Sequence, residues 1–383
     1  MAIQSQSRIA LHELIDLLKE VDERWCSEER NLGTAEDVAG SHRGLMHILE
    51  AGLVGYFEQD TRTPGFRRIV TPSRKLTGDN PDAIYFDAPI DSRYAYVVRG
   101  NMNDAVYFSM SIEKGAEDGH LPKATDGVIN DTEIDVDRDG LFSVYLGGAP
   151  RERNWLALGK NASRVTTRHY FELESPAALD PGCEPRMKIE CLSDFATPEP
   201  LRDEEVSAGI RRVCNAVRTR TLEMPQLAGD EMPPFMSVVP NVFPVPVTPG
   251  NFGLAAADAH YSMAPFLIGP DEALVMTGRW PDCRFANVCL WNRFQQTFDY
   301  INRGVSLNRK QTKLDDDGCF RMVLAHQDPG LPNWLDTEGN AFGLVFWRFF
   351  LAEGSVETPV AEVVQWADLQ NQGYSEIPSK PGA

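Results

Sequence analysis

The sequence is short of positive charge. Against 56 Asp and Glu it sets 37 Lys and Arg, a formal net charge of −19, and no basic, aromatic-interleaved tract offsets the excess. Phosphate backbones and anionic membrane surfaces are repelled by such a chain, so nucleic acid is disfavoured as a partner. Long hydrophobic runs are missing too: none approaches 18 consecutive apolar residues. The opening "MAIQSQSRIALHELIDLL" lacks the basic start, unbroken apolar centre and small-residue cleavage site of a signal peptide. The expectation is a cytoplasmic protein with no membrane partner. Cysteine is sparse and scattered: Cys26, Cys183, Cys191, Cys214, Cys283, Cys289 and Cys319 are odd in number and contain no C-x-x-C pair, which argues against a disulfide framework or a zinc ribbon. There is no Gly-rich dinucleotide or phosphate loop, no G-x-S-x-G elbow and no H-x-H or H-E-x-x-H cluster. No cofactor and no metal are expected. If the protein is an enzyme, acid–base chemistry by its own side chains is the simplest mechanism left.

What is present is 383 residues, 42% of them hydrophobic, enough for one or two substantial cores. Residues 1–80 read as a helical segment. "SRIALHELIDLLKEVDERW" has Ser7 as a candidate N-cap and Leu11, Leu14, Ile15, Leu18, Val21 and Trp25 as one stripe. "TAEDVAGSHRGLMHILEAG" has Thr34 and Asp37 near capping-box spacing and Gly52 as a stop, with His42 and His47 too poorly spaced for one face. From 81 to 197 short β-rich runs separated by Asp, Gly, Asn and Pro indicate an antiparallel β unit. Residues 198–270 hold one amphipathic helix and then "MPQLAGDEMPPFMSVVPNVFPVPVTPGNFG", whose prolines exclude a regular helix or central strand and suit a connector or lid. A second β unit is expected over 271–370, followed by a tail, 371–383.

The two β units repeat one another. Gly100 and Gly278 are 178 apart, as are Gly140 and Gly318 of two Asp-Gly turns; Asn154 and Asn333, each opening an Asn-Trp-Leu, differ by 179. Such regularity implies an internal duplication. The fold class is therefore mainly β with α: two duplicated antiparallel β-sandwich, jelly-roll-like units plus N-terminal helices and a helical, Pro-rich connector. Residues kept in both copies serve what each copy must do alone, which is to fold. Asp139-Gly140 and Asp317-Gly318 suit tight turns, Trp155 and Trp334 are candidate core anchors, and Asn154 and Asn333 are placed to bond local backbone.

"DVDRDG" at 135–140 matches the start of a calcium loop, but the twelfth position is Leu146 where a bidentate Glu is required; a solvated hairpin is the better reading. The copies differ most over 284–311, where the second copy has Arg284, Asn287, Trp291, Arg293, Tyr300, Asn302, Arg303 and Asn308 and the first an acidic, Gly-containing stretch. Cations, amides and aromatics of this kind can orient an oxygen-bearing ring ligand, although a decorated surface hairpin would look the same. His169, where the other copy has Phe349, and His326 at a strand end each occur in one copy only. Either is a candidate general acid or base.

The blocks "DEALVMTGRWPDCRFANVCLWNRF", "INRGVSLN", "DDDGCFRMVLAHQDPGLPNWLD" and "LVFWRFFLAEG", with "DNPDAIYFDAPIDSRYAYVVRGN" at 79–101, resemble the domain-of-unknown-function family numbered 1214 over about two thirds of the chain. The resemblance rests on the Gly-x-x-Pro turn at 278–281, Asn302-Arg303, the Asp-Gly hairpin, Asn-Trp-Leu and Arg348. It implies a β-sandwich or jelly-roll architecture and no secure activity. Phe285-Ala286 and "FFLAEG" depart from that family's Tyr-Trp and Tyr-x-Pro, which reshapes the surface near Arg284 and Arg348.

These readings converge on a cofactor-independent catabolic enzyme for a hydrophobic aromatic or polycyclic alcohol, a lyase that breaks a C–C or C–O bond beside a hydroxyl and releases a small aldehyde such as formaldehyde. His169 or His326 would take the hydroxyl proton, Tyr107 or Tyr300 would protonate the leaving oxygen, and Arg293 or Arg348 would stabilise negative charge. Trp291, with Arg284, Asn287, Asn302, Arg303 and Asn308, would bind the substrate. The alternatives are a non-catalytic binding protein for a carbohydrate or apolar metabolite and a hydrolase of hydrophobic esters or glycosides. The partner is a small molecule; an assembly of identical chains stays open.

Overall fold

A computed structural model of the chain describes residues 3–27, 30, 32–197, 199–224, 232–250 and 254–372. The first unit consists of β1 (Arg67–Arg68), β2 (Ala83–Pro89), β3 (Tyr96–Asn101), β4 (Tyr107–Lys114), β5 (Ala124–Asn130), β6 (Leu141–Leu146), β7 (Trp155–Leu156), β8 (Ala162–Tyr170) and β9 (Met187–Cys191). The second consists of β10 (Ala259–Leu267), β11 (Glu272–Gly278), β12 (Phe285–Trp291), β13 (Ser306–Asn308), β14 (Phe320–Ala325), β15 (Trp334–Asp336), β16 (Phe342–Phe350) and β17 (Val360–Gln365). One sheet of the first unit runs β1-β2-β8-β4-β5 and its counterpart β10-β16-β12-β13; the other sheet runs β7-β6-β3-β9 and its counterpart β15-β14-β11-β17. Apart from the short β1, strand order is the same in both. Even the parallel pairings recur, β6 with β7 and β14 with β15. The second unit begins at β10, inside the stretch expected to be connector, because "AHYSMAP" repeats the "AIYFDAP" of β2.

The repeated residues have the same structural work in each unit. A Cβ on Gly100 or on Gly278 would lie 2.7 Å from the ring of the facing Phe142 or Phe320, so each glycine makes room for the aromatic ring across its strand pair. Asn154 and Asn333 adopt φ of 51° and 58°. Each uses its amide to close a loop, Asn154 on Asp135 and Ser143 and Asn333 on Lys313 and Arg321. Trp155 and Trp334 are only half-buried, their indole N–H groups donating to Gly147 and Ala325 carbonyls; the fully buried indole is Trp347. In the hairpin at 135–140 the Asp137 carboxylate accepts from the backbone N–H groups of Asp139 and Leu141.

Helix α1 (Gln6–Arg24) is capped by Ser5 rather than Ser7, and it buries Ala10, Leu17 and Val21 while Leu11 and Ile15 face solvent. The stripe is therefore rotated from the expected one, because Ser7 is drawn instead to Asp203 of helix α3 (Asp203–Thr219). Helix α2 (Ala35–Gly52) carries the expected capping box of Thr34 and Asp37. Its α-helical part ends at Gly52, and the chain winds on as a π-helical turn, Leu53–Phe57; Gly52 faces Val213 and Ala216 of α3. The chain closes with α4 (Trp366–Gln372). Among the described residues no helix is long and apolar enough to cross a membrane.

Each sandwich has its own core, and a third apolar cluster joins them. It draws Leu17, Val21 and Trp25 from α1, Leu45 and Ile48 from α2, Tyr85, Tyr107 and Tyr170 from the first unit, and Tyr261, Phe285, Phe346 and Phe350 from the second. This explains why β2 is buried at every position: one face packs in its sandwich and the other lies under helices and the neighbouring unit.

Candidate functional site

At that junction lies a cavity of about 500 Å³. The two units contribute equivalent strands to it. Tyr85 pairs across to Arg168 in the first unit and Tyr261 pairs across to Arg348 in the second; the tyrosines are 176 apart in sequence and the arginines 180. Arg168 donates to the Ser111 hydroxyl at 2.7 Å and the Leu254 carbonyl at 2.9 Å. Arg348 donates to the Cys289 sulfur at 2.7 Å and the Gly78 carbonyl at 3.3 Å, from positions 178 and 176 away from Ser111 and Leu254. A matching reciprocity holds the units together. Asp82, leading into β2, accepts from Asn287 and Asn308 of the second unit, and Asp258, leading into β10, accepts from Tyr107 and Asn130 of the first. Such mutual contacts are those of an isologous, approximately two-fold junction.

Around this shared frame the walls have diverged. Asp87, Glu113 and Thr166 line the cavity from the first unit, and their counterparts in the second are Met263, Trp291 and Phe346. One wall is polar and ionisable, the other apolar. Phe235, Met236, Leu254 and Ala255 of the described part of the connector also line it. Arg348 sits over the Trp291 and Phe346 rings, 5.0 and 4.2 Å from their centroids, which holds its cation on the apolar side.

Between the walls three phenols meet. The Tyr85 and Tyr170 hydroxyls are 3.0 Å apart. Burial raises the pKa of both, with Tyr85 further raised by Tyr170 and Tyr170 partly eased by the charge of Arg348. Tyr261, raised by burial in the same way, accepts a hydrogen bond from the Ala256 N–H at 3.0 Å. All three hydroxyls are therefore protonated near neutrality. Within the Tyr85–Tyr170 pair one proton is spent on the partner oxygen and the other remains to donate.

Of the residues singled out in the sequence, Trp291 and Arg348 line this cavity. His169 does not. It is buried beside Phe108, ring centroids 4.5 Å apart, with Nε2 at 3.2 Å from the Asn101 carbonyl. Burial pushes its pKa down to about 3, so it takes no proton near pH 7. His326 is held by the Thr337 hydroxyl and the Gly269 carbonyl at the end of β14, away from the cavity. Tyr107 donates to Asp258, and Tyr300 packs under Lys75; neither lines the cavity. Arg293 pairs with Asp37 at the start of α2, Arg284 with Asp131 and Arg303 with Asp336, while Asn302 bonds Asp299. Asn287 and Asn308 join the units through Asp82. The segment 284–311 is thus largely a fastening, and the polar chemistry lies on the first unit's wall. The repeats "AIYFDAP" with "AHYSMAP" and "TRHY" with "WRFF" carried the missed signal, since they align Tyr85 with Tyr261 and Arg168 with Arg348.

Asp82 gives a pH test. Burial pushes its carboxyl up to about 6, against the amide hydrogen bonds that lower it. A pKa higher in the native than in the unfolded chain means the native state binds the proton more tightly. Its contribution is full below about pH 4 and fades as pH rises through about 6. The stability of wild type minus that of Asp82→Asn, from urea titrations, should fall by up to about 3 kcal/mol between pH 4 and pH 8. A difference independent of pH would refute the shift.

The fold and cavity define a duplicated two-sandwich protein with an internal cavity where the two units meet. An uncharacterised protein from Burkholderia cenocepacia has the same fold, with a TM-score of 0.79 and 25% identity over 94% of this chain and 98% of its own. A structural-genomics target from Vibrio parahaemolyticus is a weaker likeness, with a TM-score of 0.48 and 14% identity over 85% of this chain and 98% of its own. No family model and no curated protein matches the sequence.

Proposed function

We propose that the protein is a cofactor-independent catabolic enzyme acting on a hydrophobic aromatic or polycyclic alcohol, a lyase that cleaves a C–C or C–O bond beside the hydroxyl. The observation that carries this reading is the protonated Tyr85–Tyr170 pair between an apolar wall and two buried guanidinium groups. The ring skeleton packs on Trp291, Phe346 and Met263, and its oxygen meets the phenols. In a C–C cleavage the substrate hydroxyl proton passes to one phenol oxygen, that phenol's proton to the other, and the second phenol's proton to the departing carbon. The electrons of the broken bond stay with that carbon, and the former carbinol leaves as an aldehyde. The relay ends with both tyrosines protonated, which suits groups whose ionisation is opposed by burial. Arg348 and Arg168 stabilise the charge that develops on the way.

Binding without turnover is the second reading, favoured by the placement of His169 and His326 outside the cavity. One experiment separates the two. Purified protein is incubated with a panel of hydroxymethyl-bearing mono- to tetracyclic aromatics, released aldehyde is trapped and quantified, and melting is followed in parallel. Aldehyde formation supports the lyase; a raised melting temperature without product supports the binding protein; neither response from any compound defeats both.

A further inference from the structure

The cavity has a second polar end, built around the π-helical turn. Tyr56 of that turn lies under the Arg164 guanidinium at 4.5 Å and near that of Arg220 at 5.5 Å, with Arg220 also donating to the Tyr56 hydroxyl. Arg67 spends one nitrogen on the carbonyls of Val54, Gly55 and Glu58. Arg220 is otherwise held by the carbonyls of Gly119 and Ala216. Neither Arg67 nor Arg220 has a carboxylate within ion-pair distance among the described residues. Arg164 gives Nε and Nη2 to Asp87, and its buried Nη1 has no hydrogen-bond partner. Glu113, facing Arg164 across the strands, is shared with Arg168 at 3.7 Å. The guanidiniums of Arg67, Arg164, Arg168 and Arg220 thus outnumber the carboxylates of Asp87 and Glu113 on this wall.

A chain of net charge −19 that gathers surplus positive charge inside an apolar-walled cleft has arranged an environment for a negative group. Buried cations without counter-ions are costly unless a ligand supplies the charge. Planar guanidiniums fit the planar, two-oxygen geometry of a carboxylate. Arg164 is four residues from Arg168 on β8, roughly 13 Å along an extended strand, and Arg168 stands beside the phenols.

We propose that the ligand is a rigid ring-bearing acid whose carboxylate seats against Arg164 and Arg220 beside Tyr56 while its hydroxyl, a skeleton's length away, reaches the Tyr85–Tyr170 pair. The inference rests on the reading of the cavity as the substrate site. It adds the anionic group and sets its distance from the reacting oxygen.

The test uses a rod-like probe, para,para′-hydroxybiphenylcarboxylate, with its methyl ester and para-phenylphenol, titrated by calorimetry into the full-length protein at neutral pH. The carboxylate is expected to bind at least ten-fold tighter than either neutral analogue, and Arg220→Gln to remove that advantage while leaving ester affinity unchanged. Equal or tighter binding of the neutral compounds to wild type overturns the anion subsite but leaves the cavity as a site for neutral alcohols. Failure of all three to bind overturns both. Should Arg220→Gln not fold, the wild-type series decides alone; a folded Arg220→Gln that keeps the full preference also overturns the proposal.

Discussion

Turnover of Tyr170→Phe is expected to fall by about 10²- to 10⁴-fold, the usual scale for loss of a positioned proton donor. Tyr85→Phe should behave alike, because the relay needs both oxygens. The fold should bear the change at 170 well. Phe350 is the residue at the equivalent place in the second unit, 180 positions on, and the Tyr170 ring already packs between Phe285 and Phe350, with centroids at 4.8 and 4.4 Å. Only a hydroxyl is lost, so the stability change should stay near 1 kcal/mol. His169→Phe is the matched control, since its counterpart is Phe349 and its ring sits outside the cavity; it should keep full activity. Single-turnover rates and urea midpoints on the same three preparations separate chemistry from folding. A fully active Tyr170→Phe, or an inactive but stable His169→Phe, would return the proton transfer to the histidine.

The duplication was legible in the sequence because the turn glycines and asparagines answer to local rules. A position that needs φ above zero or clearance under a facing ring admits few residues, and both copies meet the same requirement at Gly100 and Gly278 or at Asn154 and Asn333. The cavity was not legible in the same way, for two physical reasons. It is assembled between units, and no spacing within one strand records which distant strand will face it. The inference that residues kept in both copies serve only the fold also fails at a two-fold junction. There the residues that fasten one unit to the other and those that line the gap between them are the same frame, as with Tyr85, Tyr261, Arg168 and Arg348. Divergence did mark the chemistry, but at Asp87, Glu113 and Thr166 of the first copy rather than over 284–311 of the second. Of the substrate-binding candidates there, Asn287 differs from its counterpart Ser109 while Asn308 matches Asn130, and both serve the junction. The α1 stripe is offset for a related reason: periodicity gives a face, but contacts from outside the helix, such as that of Ser7 with Asp203, bear on which part of it turns inward.

The junction itself should be the weakest point to cut. Asp258→Ala removes a carboxylate that accepts from the Tyr107 hydroxyl at 2.8 and 2.7 Å and from Asn130 at 2.9 Å, and it leaves the wholly buried Tyr107 oxygen without its acceptor. Hydrogen bonds to a charged acceptor contribute about 1.5 to 3 kcal/mol each, so the loss should be about 3 to 5 kcal/mol, a large part of the stability of an ordinary domain. Because Asp258 belongs to the second unit and its partners to the first, the damage should register in both sandwiches as one lowered transition, seen at the same urea concentration by tryptophan fluorescence and by far-ultraviolet dichroism. In a Tyr107→Phe background, where the phenol no longer needs an acceptor, the same Asp258→Ala change should cost at least 1 kcal/mol less, the coupling expected of groups in direct contact. Additive effects of the two substitutions would show that the aspartate does not act through the tyrosine. Two separated transitions in Asp258→Ala would show that each sandwich folds without the other and that the reciprocal fastening is not what unites them.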